Sequence, residues 1–376
     1  MSRTRNLIFG FALLAVVAGA IIFLTQCAFG KWPCKPPPLP SALPTPTPPP
    51  AGVYVYGGYR CFEDEQCRNL LRDKYQIEVT GEFRKGTFGM ADDYKDNVDC
   101  IWPGSITGID YFQTTRPEVN IRKSAVIFQT PIILFTWREL LPELEEAGLV
   151  YTQNDVYFLR MQPLVEAMVA EKQWNEIGVG IPGYVRVEST DPASSSSGML
   201  WLEMLGNYLV PGDDRAGKVL TSADLQANPD ILPALYTYWE NQGLQVDTTS
   251  KLFDKFISSG AGMPVIVAYE SSFIDWYEDQ SENMKAQAAK IVGLYPEITI
   301  NTDHTLASLS PACDALVDAF ASDVQLQELG WLKHGMRNAT GGIGAKPQSA
   351  PWFAASVPYV PEAKIDVYQS IKDMLK

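Results

Sequence analysis

The chain has 376 residues, is 46% hydrophobic and 11% aromatic, and carries a formal net charge of −14. Beyond the first fifty residues there is enough chain for two lobes of ordinary domain size, each with its own core. The acidic balance argues against nucleic acid as a partner, because no basic stripe exists to neutralise phosphates.

At the N-terminus, Arg3 and Arg5 precede an uncharged apolar run from Leu7 to Thr25, and the next charge is Lys31. This is the basic-then-apolar layout of an export signal, and the run is long enough to span a bilayer as a helix. Leu24-Thr25-Gln26-Cys27 resembles a bacterial lipoprotein processing box, with Gln26 where a small residue normally precedes the cysteine. The expectation is an uncleaved membrane anchor over residues 1–30, with a lipidated Cys27 as the alternative. Either one tethers the chain at the outer face of the cytoplasmic membrane. Residues 31–51 are dense in proline and read as a semi-rigid polyproline II linker.

The folded part opens with a strand at Val53–Tyr56, closed by Gly57-Gly58-Tyr59. A helix from Glu63 to Tyr75 follows, then a strand at Ile77–Thr80 and a loop, Arg84–Met90, that holds Thr87. A third strand, Val98–Trp102, runs into Pro103-Gly104-Ser105. Strand, glycine turn and helix in succession predict a parallel α/β sheet, with ligands at the carboxyl ends of the strands. Ser124–Trp137 is apolar and β-branched with Pro131 in its middle, which predicts two strands with a change of direction between them. Helices follow at Arg138–Ala147 and Pro163–Glu171, with a strand or hairpin at Tyr151–Leu159 between them.

Val185–Met199 then reads as a short strand, a hydroxyl-rich turn and the start of an apolar helix. Val185 and Val187 alternate with polar neighbours, Asp191 is the expected N-cap, and Pro192 takes the first helical position. Met199, Leu202, Leu205 and Leu209 form a stripe at helical spacing, and Pro211-Gly212 ends it. Backbone N–H groups and the hydroxyls of Ser195, Ser196 and Ser197 so converge on a helix N-terminus, a place to hold an anion or polar ligand. Helices near Pro229–Asn241 and Lys251–Ser258, a strand at Met263–Tyr269, a helix through about Ile291 and a strand at Ile298–Asn301 come next. Helices at Pro311–Phe320 and Gln325–Lys333 complete the plan.

Of the six cysteines, Cys61, Cys67, Cys100 and Cys313 lie in the folded part and could form disulfides outside the cell, with their pairing open. There is no CxxC, and the only histidines, His304 and His334, read as surface or core residues, so neither a metal site nor a cofactor is expected. No G-x-S-x-G elbow, P-loop or H-E-x-x-H occurs, which speaks against an enzyme and leaves no catalytic candidate.

In the order of these motifs the chain resembles the type II extracellular (periplasmic) solute-binding proteins of ABC importers, most of all the oxyanion-binding branch of molybdate and tungstate receptors. The resemblance covers about residues 52–340. It rests on Ser189–Gly198, where many relatives read T-D-P-x-x-S-N-S-G and Ser196 here replaces the asparagine. Gly57-Gly58, Trp102-Pro103-Gly104-Ser105, Tyr269-Glu270-Ser271 and Gly335-Met336-Arg337 follow in the expected order. The resemblance implies an α/β fold of two lobes with a ligand cleft between them. The chain would cross between lobes in Phe128–Ile133 and return in Met263–Tyr269, giving lobe 1 as 52–128 plus 268–376 and lobe 2 as 133–262. The implied ligand-binding residues are Gly58, Tyr59, Thr87, Trp102, Ser105, Ser195, Ser196, Ser197 and Tyr269, with the glycines letting backbone N–H groups approach the ligand. Asp191 is assigned a structural cap, because a carboxylate would repel an anion, and Glu270 is placed at the hinge with a helix cap as the equal alternative. The implied function is capture of a small-molecule or oxyanion ligand for an ABC transporter permease or a sensing system. A tethered adhesin or interaction protein, or an extracytoplasmic hydrolase, are the alternatives.

Overall fold

A computed structural model describes residues 50–83, 86–212, 218–243, 245–347 and 350–376, without the side chains of Tyr59 and Arg60. The expected anchor, Cys27 and nearly all of the proline-rich linker lie outside the described residues. Among the described residues no helix is long and apolar enough to cross a membrane.

Eleven strands occur among these residues. They are β1 (Ala51–Gly57), β2 (Ile77–Glu82), β3 (Cys100–Trp102), β4 (Lys123–Trp137), β5 (Val150–Gln153) and β6 (Val156–Leu159), then β7 (Val265–Tyr269), β8 (Ile291–Pro296), β9 (Thr299–Ser308), β10 (Arg337–Asn338) and β11 (Tyr359–Val360). The main path runs β2-β1-β3-β9-β4-β8-β6-β5, while β7 and β10 also pair with β4 and β11 pairs with β9.

β1 pairs in parallel with both β2 and β3, as the alternation of strand, turn and helix predicts. The Glu65–Tyr75 helix links β1 to β2. Asp64 caps it by accepting from the Gln66 amide at 2.7 Å, and Gln76 ends it in the left-handed region. The sheet as a whole is mixed, because β9 lies antiparallel to both β3 and β4, and β4 lies antiparallel to β7 and β8. The expectation of a purely parallel sheet came from the first three strands and does not extend past them.

β4 also departs from expectation: it is one strand of 15 residues with Pro131 inside it. Up to Pro131 it pairs with β9, ending on the pair Pro131–Asn301; from Ile132 it pairs with β7 and from Leu134 with β8. Proline fixes a φ that extended backbone accepts, and its missing N–H falls where β4 exchanges partners, so the chain runs on without turning.

Two bodies of apolar packing flank this exchange. Around β1–β3, Val53 and Val55 face Cys67, Leu71, Leu316 and Phe320, while Tyr56 on the opposite face meets Met90, Ile109 and Phe112. The larger core surrounds the second half of β4. It takes in the helices Met161–Val169, Ser196–Leu209 and Thr249–Ser259, β7, β8, Phe273 and Trp276, and the C-terminal Val367, Tyr368 and Ile371. In the stretch where the return crossing is expected, Met263–Tyr269, β7 pairs with Ile132–Thr136 and packs into the larger core. The chain rejoins the first core through β9, which leaves the larger core at Ile300 and enters the first at Leu306. The helix expected to run through Ile291 ends at Ala288, and Ile291 begins β8.

Cys100 at the start of β3 and Cys313 in the Pro311–Ser322 helix form a disulfide across 213 residues. Cys61 and Cys67 are both buried and carry no disulfide in this structure.

Candidate ligand-binding cleft

The Val185–Gly198 stretch departs from its predicted local form. Val185 and Val187 are buried, yet no strand forms; Glu188 and Thr190 make single bridges to Ile266 and Val246. The helix starts later than expected, at Ser196, with Ser195 at the N-cap. Asp191 instead closes a tight turn, accepting from the Ala193 amide at 3.0 Å through its side chain and from the Ser195 amide at 2.8 Å through its carbonyl. Asn and Asp favour such turns because the side chain mimics the next peptide carbonyl. Pro192 falls inside this turn, where it has no amide to leave unpaired.

The turn folds the serines back on Thr190. The Thr190 hydroxyl lies 2.9 Å from Ser195 Oγ and 2.9 Å from Ser197 Oγ, and the two serines are 3.1 Å apart. This is a closed ring of three hydroxyls at the head of a 14-residue helix. Gly198 makes the approach feasible, since a Cβ there would stand 2.2 Å from the Thr190 carbonyl oxygen. The first-turn amides of a helix have no intrahelical partner, and the helix dipole adds to their pull on negative charge.

A cleft enclosing about 260 Å³ opens over this helix end. It gathers seven of the nine expected residues: Gly58, Thr87, Trp102, Ser195, Ser196, Ser197 and Tyr269. Ser196 donates to Thr87 Oγ1 at 3.4 Å, a contact between residues 109 apart in sequence. Thr87 is held in place by the Gly104 amide, which donates to the same oxygen at 3.3 Å. Tyr269 ends β7 and stands at the N-cap of the Glu270–Glu278 helix. Tyr59 falls in the short Tyr59–Phe62 helix, and its side chain is outside the described residues.

Ser105 is drawn elsewhere. It caps the Ile106–Thr115 helix by accepting from the Gly108 amide at 3.2 Å, and it faces a smaller cavity with Glu203 and Glu362. Burial pushes the Glu203 carboxyl well above the ordinary carboxylate range, and Glu362 adds to the effect. Burial raises Glu362 as well, against hydrogen bonds from Thr302, Ser105 and Thr107.

Gly57 and Gly58 serve packing. The Gly58 amide donates to the Trp102 carbonyl at 3.2 Å, so it is not offered to a ligand. Gly58 has φ +65, and a Cβ there would lie 2.4 Å from the Trp102 ring. The two glycines let Trp102 close onto β1, where it stacks on Phe128 at 6.0 Å and meets Phe62 edge-on. The indole N–H donates to the His304 carbonyl at 3.3 Å.

Several lining residues escaped the sequence reading, among them Phe83, Met90, Phe128, Met336, His304 and His334. The histidines, read there as surface or core, both border the cleft. His304 was reachable only through the long antiparallel pairing that sets it opposite Phe128. His334 Nδ1 lies 3.0 Å from Asp275 Oδ1. Behind Tyr269, Glu270 is fully buried and accepts from Arg337 Nε at 2.7 Å and Nη2 at 2.6 Å, with the Tyr295 hydroxyl also donating to it. Glu270 is thus a buried ion-pair partner on the first residue of its helix. It does not line the cleft.

Among the described lining residues there is no lysine or arginine; Arg84 and Lys85 of the adjoining loop lie outside the described residues. Among the described residues no three His, Cys, Asp or Glu side chains converge as a metal site. The cleft thus combines a hydroxyl-lined helix end with aromatic rings and methionine, and its rim adds Thr248, Thr249, Ser271, Ser272 and Asp247, whose carboxylate is paired with Lys251 at 2.8 Å.

No family profile and no curated protein matches the sequence. Solved structures do. The apo ferric ion-binding protein A of Pasteurella haemolytica superposes with a TM-score of 0.56 at 12% identity, covering 86% of this chain and 96% of that one. The ferric binding protein of Campylobacter jejuni gives 0.56 at 9% identity, with 86% and 97% covered. A periplasmic thiamin binding protein gives 0.56 at 11% identity, with 89% and 98% covered. At identities of 9–12% such likeness speaks for the fold alone, and the chain carries the mixed α/β, two-lobe fold of type II periplasmic solute-binding proteins.

Proposed function

We propose that this chain is an extracytoplasmic solute-binding protein of the ABC-importer kind, tethered through residues 1–30 at the outer face of the cytoplasmic membrane. It captures a small anion or polar solute in its cleft and presents it to a permease or a sensing partner. The observation that carries this reading is the meeting of Ser195, Ser196 and Ser197 with Thr87 at a helix N-terminus, in a cleft walled in part by Phe83, Met90, Trp102 and Phe128. Neutral hydroxyls and helix-end amides suit a dehydrated oxyanion group, because fixed dipoles stabilise charge without a counter-ion. The Trp102–Phe128 stack favours an apolar body attached to that group. Ferric iron, which two of the neighbours bind by name, does not suit this set of donors.

For the lobes, we keep the first boundary in Phe128–Ile133 and move the second to β9. That gives a first lobe of about 52–130 with 302–345, and a second of about 132–300 joined by the C-terminal helix.

Thermal shifts with molybdate, tungstate, phosphate, sulfate, small organic acids and thiamin test the ligand class, since a solute that binds only the folded state raises the melting temperature. For the solute that does so, Ser195→Ala and Ser197→Ala each weaken binding by about 1–3 kcal/mol in calorimetry, the usual cost of a lost hydrogen bond to a charged group. Unchanged affinity in both variants removes the ligand from this helix end.

A further inference from the structure

We propose that Cys61 and Cys67 are a second disulfide-forming pair, closed as the chain folds, and that the bond fixes one wall of the cleft. This rests on the extracytoplasmic reading only for where the oxidation takes place. The two sulfurs are 3.1 Å apart and buried, at 3% and 0% exposure. A disulfide brings sulfurs to about 2.05 Å, so a closing movement of about 1 Å suffices, within the reach of small side-chain rotations. The chain already closes Cys100–Cys313, so its folding is compatible with oxidising chemistry.

Cys61 belongs to the short Tyr59–Phe62 helix and lines the cleft; Cys67 lies in the first turn of the Glu65–Tyr75 helix. Between them Asp64 caps the second helix and takes Lys333 at 2.9 Å. The intervening backbone is therefore already folded into the tight loop that a Cys61–Cys67 bond would close. Phe62, the next residue, packs on Trp102 at 5.4 Å and Phe83 at 5.5 Å, and both of these rings line the cleft. A covalent tie at Cys61 holds Phe62, and through it the Trp102 wall.

The order of events follows from thiol chemistry. In the unbonded pair the hydrogen bond with Cys67 and burial push the Cys61 thiol well up, so little thiolate exists once the fold has closed. Oxidation belongs to the folding stage, while both sulfurs are still accessible. One cysteine thiolate attacks the disulfide of an oxidised dithiol oxidant, and one oxidant sulfur leaves as a thiolate. The second cysteine thiolate then attacks the mixed disulfide and expels the other oxidant sulfur. Two thiols of this chain lose two protons and two electrons, and the oxidant's disulfide takes them up as two thiols.

The test uses the full chain, unfolded and refolded in oxidised and reduced glutathione, then denatured, alkylated with iodoacetamide and digested with trypsin. Arg60 and Arg68 flank the pair, so one peptide, CFEDEQCR, carries both cysteines. The expected product is that peptide unalkylated and lighter by two hydrogens, alongside a linked Cys100–Cys313 peptide pair. Hydrogen exchange over residues 59–67 is then slower than in the dithiothreitol-treated protein. The double variant Cys61→Ser/Cys67→Ser shows no such difference between the two conditions. Recovery of the peptide with two alkyl groups, in a sample where Cys100–Cys313 is linked, overturns the proposal. If the pair closes in the refolded chain while both pairs are reduced in protein taken directly from cells, the pairing stands and the extracytoplasmic reading falls.

Discussion

Replacing Thr190 by valine isolates the hydroxyl ring at the helix head. Valine keeps the branched shape and removes one oxygen, at a position with no solvent exposure. That oxygen sits 2.9 Å from both Ser195 Oγ and Ser197 Oγ. Each hydrogen bond contributes about 0.5–1.5 kcal/mol net, so the loss of two costs about 1–3 kcal/mol of stability. The upper end is moderated because Ser197, itself buried, keeps Ser195 as a partner at 3.1 Å. Urea unfolding measures the change, with an unaltered slope expected because the surface exposed on unfolding stays the same. Thr190→Ser, which keeps the oxygen and loses a methyl group, should retain the ring and the binding of whichever solute stabilises the native chain. Thr190→Val should weaken that binding, since Ser195 can turn its proton toward a ligand only while Thr190 holds the remaining bonds in place. A stability change below about 0.5 kcal/mol for Thr190→Val, at the foot of that range, means the hydroxyls are satisfied in another way and the ring is not what shapes the site.

Other perturbations reach the surroundings of the cleft. Arg337→Met leaves the Glu270 carboxylate buried without its partner and should cost about 3–5 kcal/mol in urea unfolding, with part regained in Arg337→Met/Glu270→Gln. Burial holds the Glu203 carboxyl above its ordinary value of 4.5, so the folded state keeps a proton that the unfolded state releases. Stability contributed there is complete below about 4.5 and declines as pH rises through the raised folded value. Glu203→Gln should flatten that decline and raise the melting temperature at neutral pH; an unchanged pH profile refutes the assignment. Gly58→Ala strains a φ of +65 and drives a methyl into the Trp102 ring, so about 1–3 kcal/mol of stability and a changed tryptophan fluorescence are expected. Native fluorescence in that variant shows that Trp102 packs without the glycine.

What the sequence made legible was local. Caps, turns and apolar spacing located most helices and strands: the hairpin of β5 and β6 turns on Asn154 and Asp155, both at positive φ, and the Ser196 helix stops at Leu209, just before Pro211-Gly212. The loops that approach the cleft were legible as well, because small and hydroxylated residues at strand ends mark them. Partner choice was not. Nothing in the composition of β9 says that it lies between β3 and β4, so His304 and Thr302 could not be assigned to their neighbourhoods. Nor could the sequence reveal that Ser105 is claimed by the Gly108 amide and Glu362, since Glu362 comes from 257 residues further on. That the Gly58 amide is taken by the Trp102 carbonyl was hidden for a similar reason. Positive φ was readable, but the ring that fills the space above it arrives with β3.

The misjudged proline bears on how such a molecule could close. Lobe closure needs strands that bend without losing their partners, and among the described residues only β4 and β9 run from one core into the other in register. Two features interrupt the regular ladder along them. One is the bulge between Val126 and Phe128; the other is Pro131, which has no N–H to give to a neighbouring strand. A ladder bends most cheaply where it is already short of a hydrogen bond, and both defects lie close to the exchange of partners at Ile132. The rings that wall the cleft stand nearby: Phe128 follows the bulge, and Tyr269 pairs with Ile132 itself. A rotation about this stretch would therefore move Tyr269 and the Ser196 helix relative to Trp102 and Thr87. It would leave the disulfide between Cys100 and Cys313, both inside the first core, undisturbed. On that geometry, replacing Pro131 with a residue that carries an N–H, as in Pro131→Val, gives the bending point the donor it lacks. It should slow opening and closing, read as slower ligand association and dissociation, more than it alters equilibrium affinity. Unchanged rates would mean that the lobes bend elsewhere.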